Sequence, residues 1–389
     1  MMLDRVVIMI LVILFFFDAP PMSRKNNVGV VHGFSSCSHP GRSRQWSMPL
    51  QVAASVENTD VVATENDIAT TTTTIVPSIQ RKHQTFLWKH NLQEYDINYR
   101  VEGNLDGPPV LLIHGFGANL NHYRYQFPPL VDEGFRVYAI DLIGFGASPK
   151  PADVEYSIEL FVQLASDFIR TMQASAVVPE QQWVVAGNSI GGLVSLGVAE
   201  ELKELVRGVI LFNCAGGMTG FRYSDVPAYV RPLLWFFQKV LLGPQMGSSF
   251  FKRFKTRENV ESILRSQGVY RNQTNVNEEL LEILLEPSED EGAETVFLKT
   301  FAGDPGPSPE EILPNLSCPV FAIWGDADPW TPVDRGMHPG CNFGSFCHDF
   351  ELHVIPNCGH CPHDEAPEAV NDLIVPWLKG LDTRKSKTQ

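Results

Sequence analysis

No feature limits what this chain can fold into as much as Val184–Leu193 (VVAGNSIGGL), where an apolar, strand-like run breaks at Gly187-Asn188-Ser189-Ile190-Gly191 and resumes in helix-forming residues. Gly-x-Ser-x-Gly between a strand and a helix is the pattern of a nucleophile elbow. Its outer glycines let the two backbones close around a sharp turn, so the Ser189 hydroxyl stands exposed above a sheet. A glycine-rich turn with a capping serine has the same letters. The motif therefore gains meaning only from the strand before it, the helix after it and partners elsewhere in chain order.

Those flanks are present. Pro109-Val110-Leu111-Leu112-Ile113 is a continuous apolar run, read as a strand buried on both faces, and Arg136–Ile140 is a second. Ser157–Met172 carries apolar residues at helical spacing, Leu193–Leu205 continues the elbow helix, and Val209–Phe212 is the next buried strand. Strands at Pro319–Trp324 and Phe350–Ile355 follow much later. Strands alternating with helices imply a parallel sheet covered on both faces. Upstream, Thr85–Trp88 and Ile97–Val101 read as a hairpin that opens the sheet.

The loops after the strands hold the chemistry. Pro319–Trp324 runs into Gly325-Asp326-Ala327-Asp328-Pro329-Trp330, and the last strand leads to Gly359-His360-Cys361-Pro362-His363. Ser, then Asp, then His is the chain order in which this scaffold assembles a triad. His360 would take the Ser189 proton and return it to the leaving alcohol, while Asp328 fixes the imidazole tautomer. Asp326 is the alternative acid. Acyl transfer also needs two donors for an oxyanion, and the backbone N–H groups of Phe116, after His114-Gly115, and of Ile190, after the nucleophile, are the candidates. His114 and Asp141 read as residues that brace these loops, and His338, His348, His353 and His363 as surface histidines. Cys358 and Cys361 flank the histidine loop. A zinc site there would need further ligands from Cys341 and Cys347 and would occupy the histidine that catalysis requires, and a regulatory thiol pair is the other reading. The acyl-transfer chemistry calls for no cofactor and no metal.

Between residues 219 and 314 the alternation stops, as expected of a helical lid inserted over the site, with the hydrolytic core in 85–218 and 315–381 and a basic tail in 382–389. Trp235, Phe236, Phe237, Phe250, Phe251 and Phe254 make the lid unusually aromatic, and Lys239, Lys252, Arg253, Lys255 and Arg257 lie among them. Such a face can pack onto the core, or contact substrate or membrane. Trp330 joins the lid residues as a candidate pocket wall. The formal net charge of −15 excludes a phosphate-tracking, nucleic-acid-binding surface as the main function.

Residues 1–57 read as a two-part targeting leader: an apolar signal-like run, Val6–Phe17, then a Ser- and Arg-rich stretch free of acidic residues from Ala19 to Val56. A short N-terminal anchor, or a secreted protein with a disordered pro-segment, are the other readings. Residues 58–84, with Thr70–Thr74, form a disordered linker.

From His114 to Trp377 these residues resemble an α/β-hydrolase. The likeness narrows over Leu211–Met218 (LFNCAGGM), Phe254–Ile263 (FKTRENVESI), Gly303–Pro309 (GDPGPSP) and Gly359–Asp364 (GHCPHD), where the chain resembles the plastid chlorophyll dephytylases and, more distantly, the pheophytinases. Cys358 and the Cys341–Cys347 insertion depart from that pattern. The resemblance implies a mostly parallel eight-stranded sheet with helices on both faces and hydrolysis of the phytyl ester of chlorophyll or its magnesium-free derivatives. It also implies a plastid location, possible peripheral contact with thylakoid membranes and a hydrophobic pigment ester as the partner. A general carboxylesterase or lipase of plastid lipids, and a ligand-binding homologue without turnover, are the alternatives.

Overall fold

Val110 and Leu112 point to one face of their strand and Leu111 and Ile113 to the other, and all four are fully buried, each pair in a different hydrophobic cluster. A strand can do this only where helices cover both faces of the sheet. The computed structural model describes residues 83–384 apart from 176–180, 219–228, 230 and 233–243. The leader, most of the Thr-rich segment, Trp235, Phe236, Phe237 and the C-terminal five residues lie outside the described residues.

Eight strands form one sheet: β1 (His83–His90), β2 (Gln93–Glu102), β3 (Pro109–Ile113), β4 (Arg136–Ile140), β5 (Trp183–Asn188), β6 (Val206–Phe212), β7 (Val320–Gly325) and β8 (Phe350–Ile355). Their spatial order is β1-β2-β4-β3-β5-β6-β7-β8, with β1, β2 and β4 joined antiparallel and all other neighbours parallel. β1 starts at His83, so His83 and Gln84 belong to the sheet and not to the linker, paired with Arg100 and Tyr99.

On one face, α2 (Ile158–Ala174) and α3 (Ile190–Glu201) bury Phe161, Leu164, Phe168, Leu193 and Leu196. α2 begins at Ser157, whose hydroxyl accepts from the Leu160 N–H at 3.2 Å, and its apolar residues recur at helical spacing. On the other face, α1 (Phe127–Asp132) and the C-terminal helix α10 (Pro367–Arg384) bring Phe127, Leu130, Ile374, Trp377 and Leu378 onto the sheet. The order reverses around β3, with β4 on one side and β5 on the other. In open α/β sheets such a switch point opens a crevice at the carboxyl ends of the strands.

The insertion after β6 carries the described helices α4 (Pro244–Phe254), α5 (Arg257–Arg265), α6 (Glu278–Leu285), α7 (Ala293–Ala302) and the short α8 (Pro309–Ile312). α4 and α7 join through Phe250, Phe251, Phe297 and Phe301. Polar contacts fasten the insertion to the body: Asn119 Nδ2 donates to the Ile283 carbonyl at 2.5 Å, and Lys299 Nζ donates to the Ala152 and Val154 carbonyls at 2.6 and 3.0 Å. A four-residue turn, α9 (Pro362–Glu365), follows the histidine loop and leads into α10.

Candidate active site

The elbow takes the conformation that its glycines permit. Ser189 has φ +56° and ψ −122°, a strained backbone for a residue with a side chain. A Cβ on Gly187 would strike the Gly191 carbonyl, and one on Gly191 would strike the Ile113 carbonyl, so both positions must be glycine for β5, α3 and the end of β3 to meet. The turn is fixed from outside as well, because the Ser189 N–H donates to the Phe212 carbonyl and the Ser189 carbonyl accepts from the Ala215 N–H, both at 3.0 Å.

The structure brings His360 and Asp328 together. His360 Nδ1 lies 2.7 Å from Asp328 Oδ2, and both residues are buried. The carboxylate is heavily solvated by protein. Oδ2 accepts from Asn213 Nδ2 and Thr331 Oγ1, each at 2.5 Å, and Oδ1 from the N–H groups of Trp330 and Thr331 at 2.7 and 3.1 Å. Burial pushes the Asp328 carboxyl up, but the charge of His360 and the bonds from His360, Thr331 and Asn213 reverse this and hold it well below the usual carboxylate range. An ionised Asp328 on Nδ1 leaves the Nε2 lone pair free to accept a proton. Asp326 is exposed and spends its carboxylate on the Asn357 N–H at 2.7 Å.

Asn188, next to Ser189, ties this pair to the elbow: its side-chain amide donates to the His360 carbonyl at 3.0 Å and to the Phe212 carbonyl at 3.1 Å. The loop holding Phe116 lies over the same point. A Cβ built on Gly115 would sit 3.2 Å from the Ser189 Cβ, so the backbone leading to Phe116 passes directly against the elbow. Ile190 is the first residue of α3, whose N-terminus favours developing negative charge. Trp330, half exposed, sets its ring edge-on to His360 with centroids 5.0 Å apart. The Phe116 side chain turns toward the insertion after β6, 5.3 Å from Phe297 between centroids.

His114 and Asp141 brace the loops. The buried His114 has Nδ1 2.8 Å from the Gly115 carbonyl and accepts the Leu142 N–H on Nε2 at 3.0 Å, while Asp141 accepts from Leu120, Asn98 and Ala147. The surface assignment of His363 is corrected. It is fully buried against His122, Tyr123 and Phe212, because the helical turn after the histidine loop points it inward. His338 and His353 are half-buried and paired with Glu310 and Glu351, and His348 is exposed. Sequence reasoning passed over Asn213, Asn188 and Glu365. Asn213 alone offered a signal, since an asparagine at a strand end tolerates the positive φ of 43° found there.

Cys358 and Cys361 are free, buried thiols, pushed up in pKa first by burial and then by nearby carboxylates, the environment of unreactive cysteines. Among the described residues, no group of three or more His, Cys, Asp or Glu side chains is arranged to hold a metal ion.

A strained serine on an elbow at the carboxyl end of a strand beside the sheet's switch point, a buried Asp–His pair and a helical insertion after β6 define an α/β-hydrolase. Residues 110–373 match the alpha/beta hydrolase family, and the chain belongs to it. Chloroplastic pheophytinase of Arabidopsis thaliana is 25% identical over 341 residues, covering 77% of this chain and 67% of that protein. A 2-hydroxy-6-oxo-6-(2'-aminophenyl)hexa-2,4-dienoic acid hydrolase of Metapseudomonas resinovorans is 26% identical over 284 residues, covering 70% and 84%. The fold is shared with a thermophilic esterase from Thermogutta terrifontis (TM-score 0.56, 21% identity, 77% of this chain and 99% of that one). This chain is thus a hydrolase of the α/β family.

Proposed function

We propose that the chain is a serine hydrolase of carboxylic esters whose substrate is the phytyl ester of a chlorophyll or pheophytin-type pigment, released as a chlorophyllide-type acid and phytol. The observation that carries the ester chemistry is the buried Asp328–His360 pair, its loop fastened by Asn188 to the turn that bears Ser189. Ser189 Oγ attacks the ester carbonyl as His360 Nε2 takes its proton. The oxyanion is met by the Phe116 and Ile190 N–H groups, each worth about 3 kcal/mol of barrier. His360 then protonates the departing alcohol. Water repeats the sequence on the acyl-enzyme and frees the acid.

The pigment substrate is supported by the pheophytinase relative and by the aromatic lid above the site, where Phe116 meets Phe297 and Phe301 and Trp330 edges the histidine. The same relative, chloroplastic by name, supports a plastid location. Among the described residues no helix is long and apolar enough to cross a membrane. Substrate collection by peripheral contact of the lid with thylakoid lipid is part of the same proposal, drawn from the aromatic residues Trp235, Phe236 and Phe237 in the sequence and from the exposed Lys252 and Arg253. A general carboxylesterase is the second reading, favoured by hydrolases of unrelated substrates that match as well as pheophytinase does.

Incubating the purified protein with chlorophyll a, pheophytin a and a short acyl ester, followed by chromatography, separates these readings. Phytol release is expected from a pigment. Turnover of the short ester alone establishes the general esterase, and failure to react with a fluorophosphonate probe removes both.

A further inference from the structure

The histidine loop does not hold itself in place. The His360 N–H donates to the Val269 carbonyl of the lid at 2.8 Å, and the neighbouring Gly359 N–H donates to Glu365 Oε2 at 2.7 Å. The other oxygen of Glu365 accepts the N–H groups of Arg271 and Asn272, at 2.9 and 2.7 Å. Glu365 is 1% exposed. One buried carboxylate therefore holds two lid amides on one oxygen and the backbone beside His360 on the other. A Cβ on Gly359 would strike the Val269 carbonyl, so this segment of the lid lies directly on the loop.

The residue before it repeats the tie. Asp364 accepts from Arg124 Nε at 2.8 Å and from the Tyr270 hydroxyl at 3.0 Å, and its carbonyl takes the Asn275 side-chain amide at 2.7 Å. The lid segment from Val269 to Asn275 and the loop carrying His360 are thus one hydrogen-bonded unit. This part of the lid cannot lift away without moving the histidine.

We propose that Glu365 is a positioning residue for catalysis: its carboxylate, bridging Gly359 to Arg271 and Asn272, sets the His360 imidazole against Ser189 by using the lid as the fixed support. The proposal rests on Ser189 and His360 being the catalytic pair. Glu365 itself touches no substrate. An amide in its place keeps the volume but presents an NH2 to at least one backbone donor, so the bridge opens on one side.

The test uses the full-length protein, with active sites counted by fluorophosphonate titration and a short acyl ester as substrate. Glu365→Gln is expected to lower kcat per titrated site by about 10²-fold and to slow fluorophosphonate labelling in proportion, because both need His360 as base, while KM stays within about twofold. Glu365→Asp keeps the charge and is expected to recover part of the loss; it also serves if the Gln variant is not soluble. Unchanged kcat and labelling rate in a variant with a lowered melting temperature would overturn the proposal, since that is a purely structural role. Proportional losses in Asp and Gln variants would also overturn it, because charge would then not matter. If the unaltered protein neither labels nor turns over ester, it is the serine-hydrolase reading that fails.

Discussion

Asn213 and Asp328 come from different strand ends, yet the amide of one donates to the carboxylate of the other at 2.5 Å, while Asn213 Oδ1 accepts the Gly325 N–H at 3.0 Å. The asparagine is a clip between β6 and the acid-bearing loop after β7. Its replacement by leucine, alike in heavy-atom count but poorly suited to the φ of 43° at this position, strips a donor from a buried carboxylate. That costs about 1–3 kcal/mol of stability and is expected to reduce kcat about tenfold. Chemical denaturation and ester turnover on the same preparation check both; a stability loss with full turnover would show that Asp328 is held well enough without it.

The acid itself offers a sharper comparison. Asp328→Asn keeps every atom position but donates to Nδ1, forcing the proton onto Nε2, where Ser189 needs an acceptor. A loss of about 10⁴-fold in kcat is expected. Asp326→Asn, which disturbs only the Asn357 N–H contact at the surface, is expected to stay within about twofold. Ser189→Ala should abolish fluorophosphonate labelling as well as turnover. Parallel kinetics on the three variants decide the assignment, and a severe defect in the Asp326 variant would reverse it.

Two buried histidines predict acid lability. Burial lowers the pKa of His122 to about 4, helped by the charges of Arg124 and other histidines and opposed by Asp364. His363 is driven well below 6.5 by burial and by His122, His360 and Arg124, and among the described residues neither of its ring nitrogens has a hydrogen-bond partner. Unfolding lets both rings take up protons from about pH 6.5 downward. The unfolded state then binds more protons than the folded one, so stability is full above about 6.5 and falls as pH drops toward 4. For His122 alone the loss is on the order of 3 kcal/mol. Denaturation midpoints measured between pH 7 and 4.5 should fall steadily, and His363→Phe, which suits the Tyr123 and Phe212 surroundings, should flatten the slope. An unchanged slope would mean that neither ring sets it.

The same histidine marks where sequence reading stops. Apolar continuity identified β3, β4, β6, β7 and β8, and the helical spacing of α2 matches its observed span, because a covered parallel sheet writes its burial directly into composition. Asp328 and His360 were legible since chain order and strand ends are one-dimensional facts. His363 was not, because polar residues are usually exposed and only the turn after His360 rotates this one inward. Glu365 and Asn188 act by bonding to backbone groups distant in sequence, and a backbone amide has no letter of its own. The lid aromatics were visible as a cluster, but which of them face Phe116 depended on how α4 and α7 cross.

That crossing predicts a functional role for a lid residue far from the reacting atoms. Phe297 packs on Phe116 at 5.3 Å and also against Phe250, Phe251, Phe254 and Phe301, with centroids 4.7–5.9 Å apart. Because the Phe116 N–H is the proposed oxyanion donor, a cavity left above the Phe116 ring lets that donor wander. Phe297→Ala should cost about 3–5 kcal/mol of stability. It should also weaken a transition-state mimic such as a trifluoromethyl ketone more than a substrate-like ester amide, since only the former places charge on the donor. Phe297→Leu, which refills most of the space, should restore much of the discrimination. Equal weakening of both ligands by the alanine variant would mean that the aromatic cluster shapes the pocket without steadying the oxyanion loop.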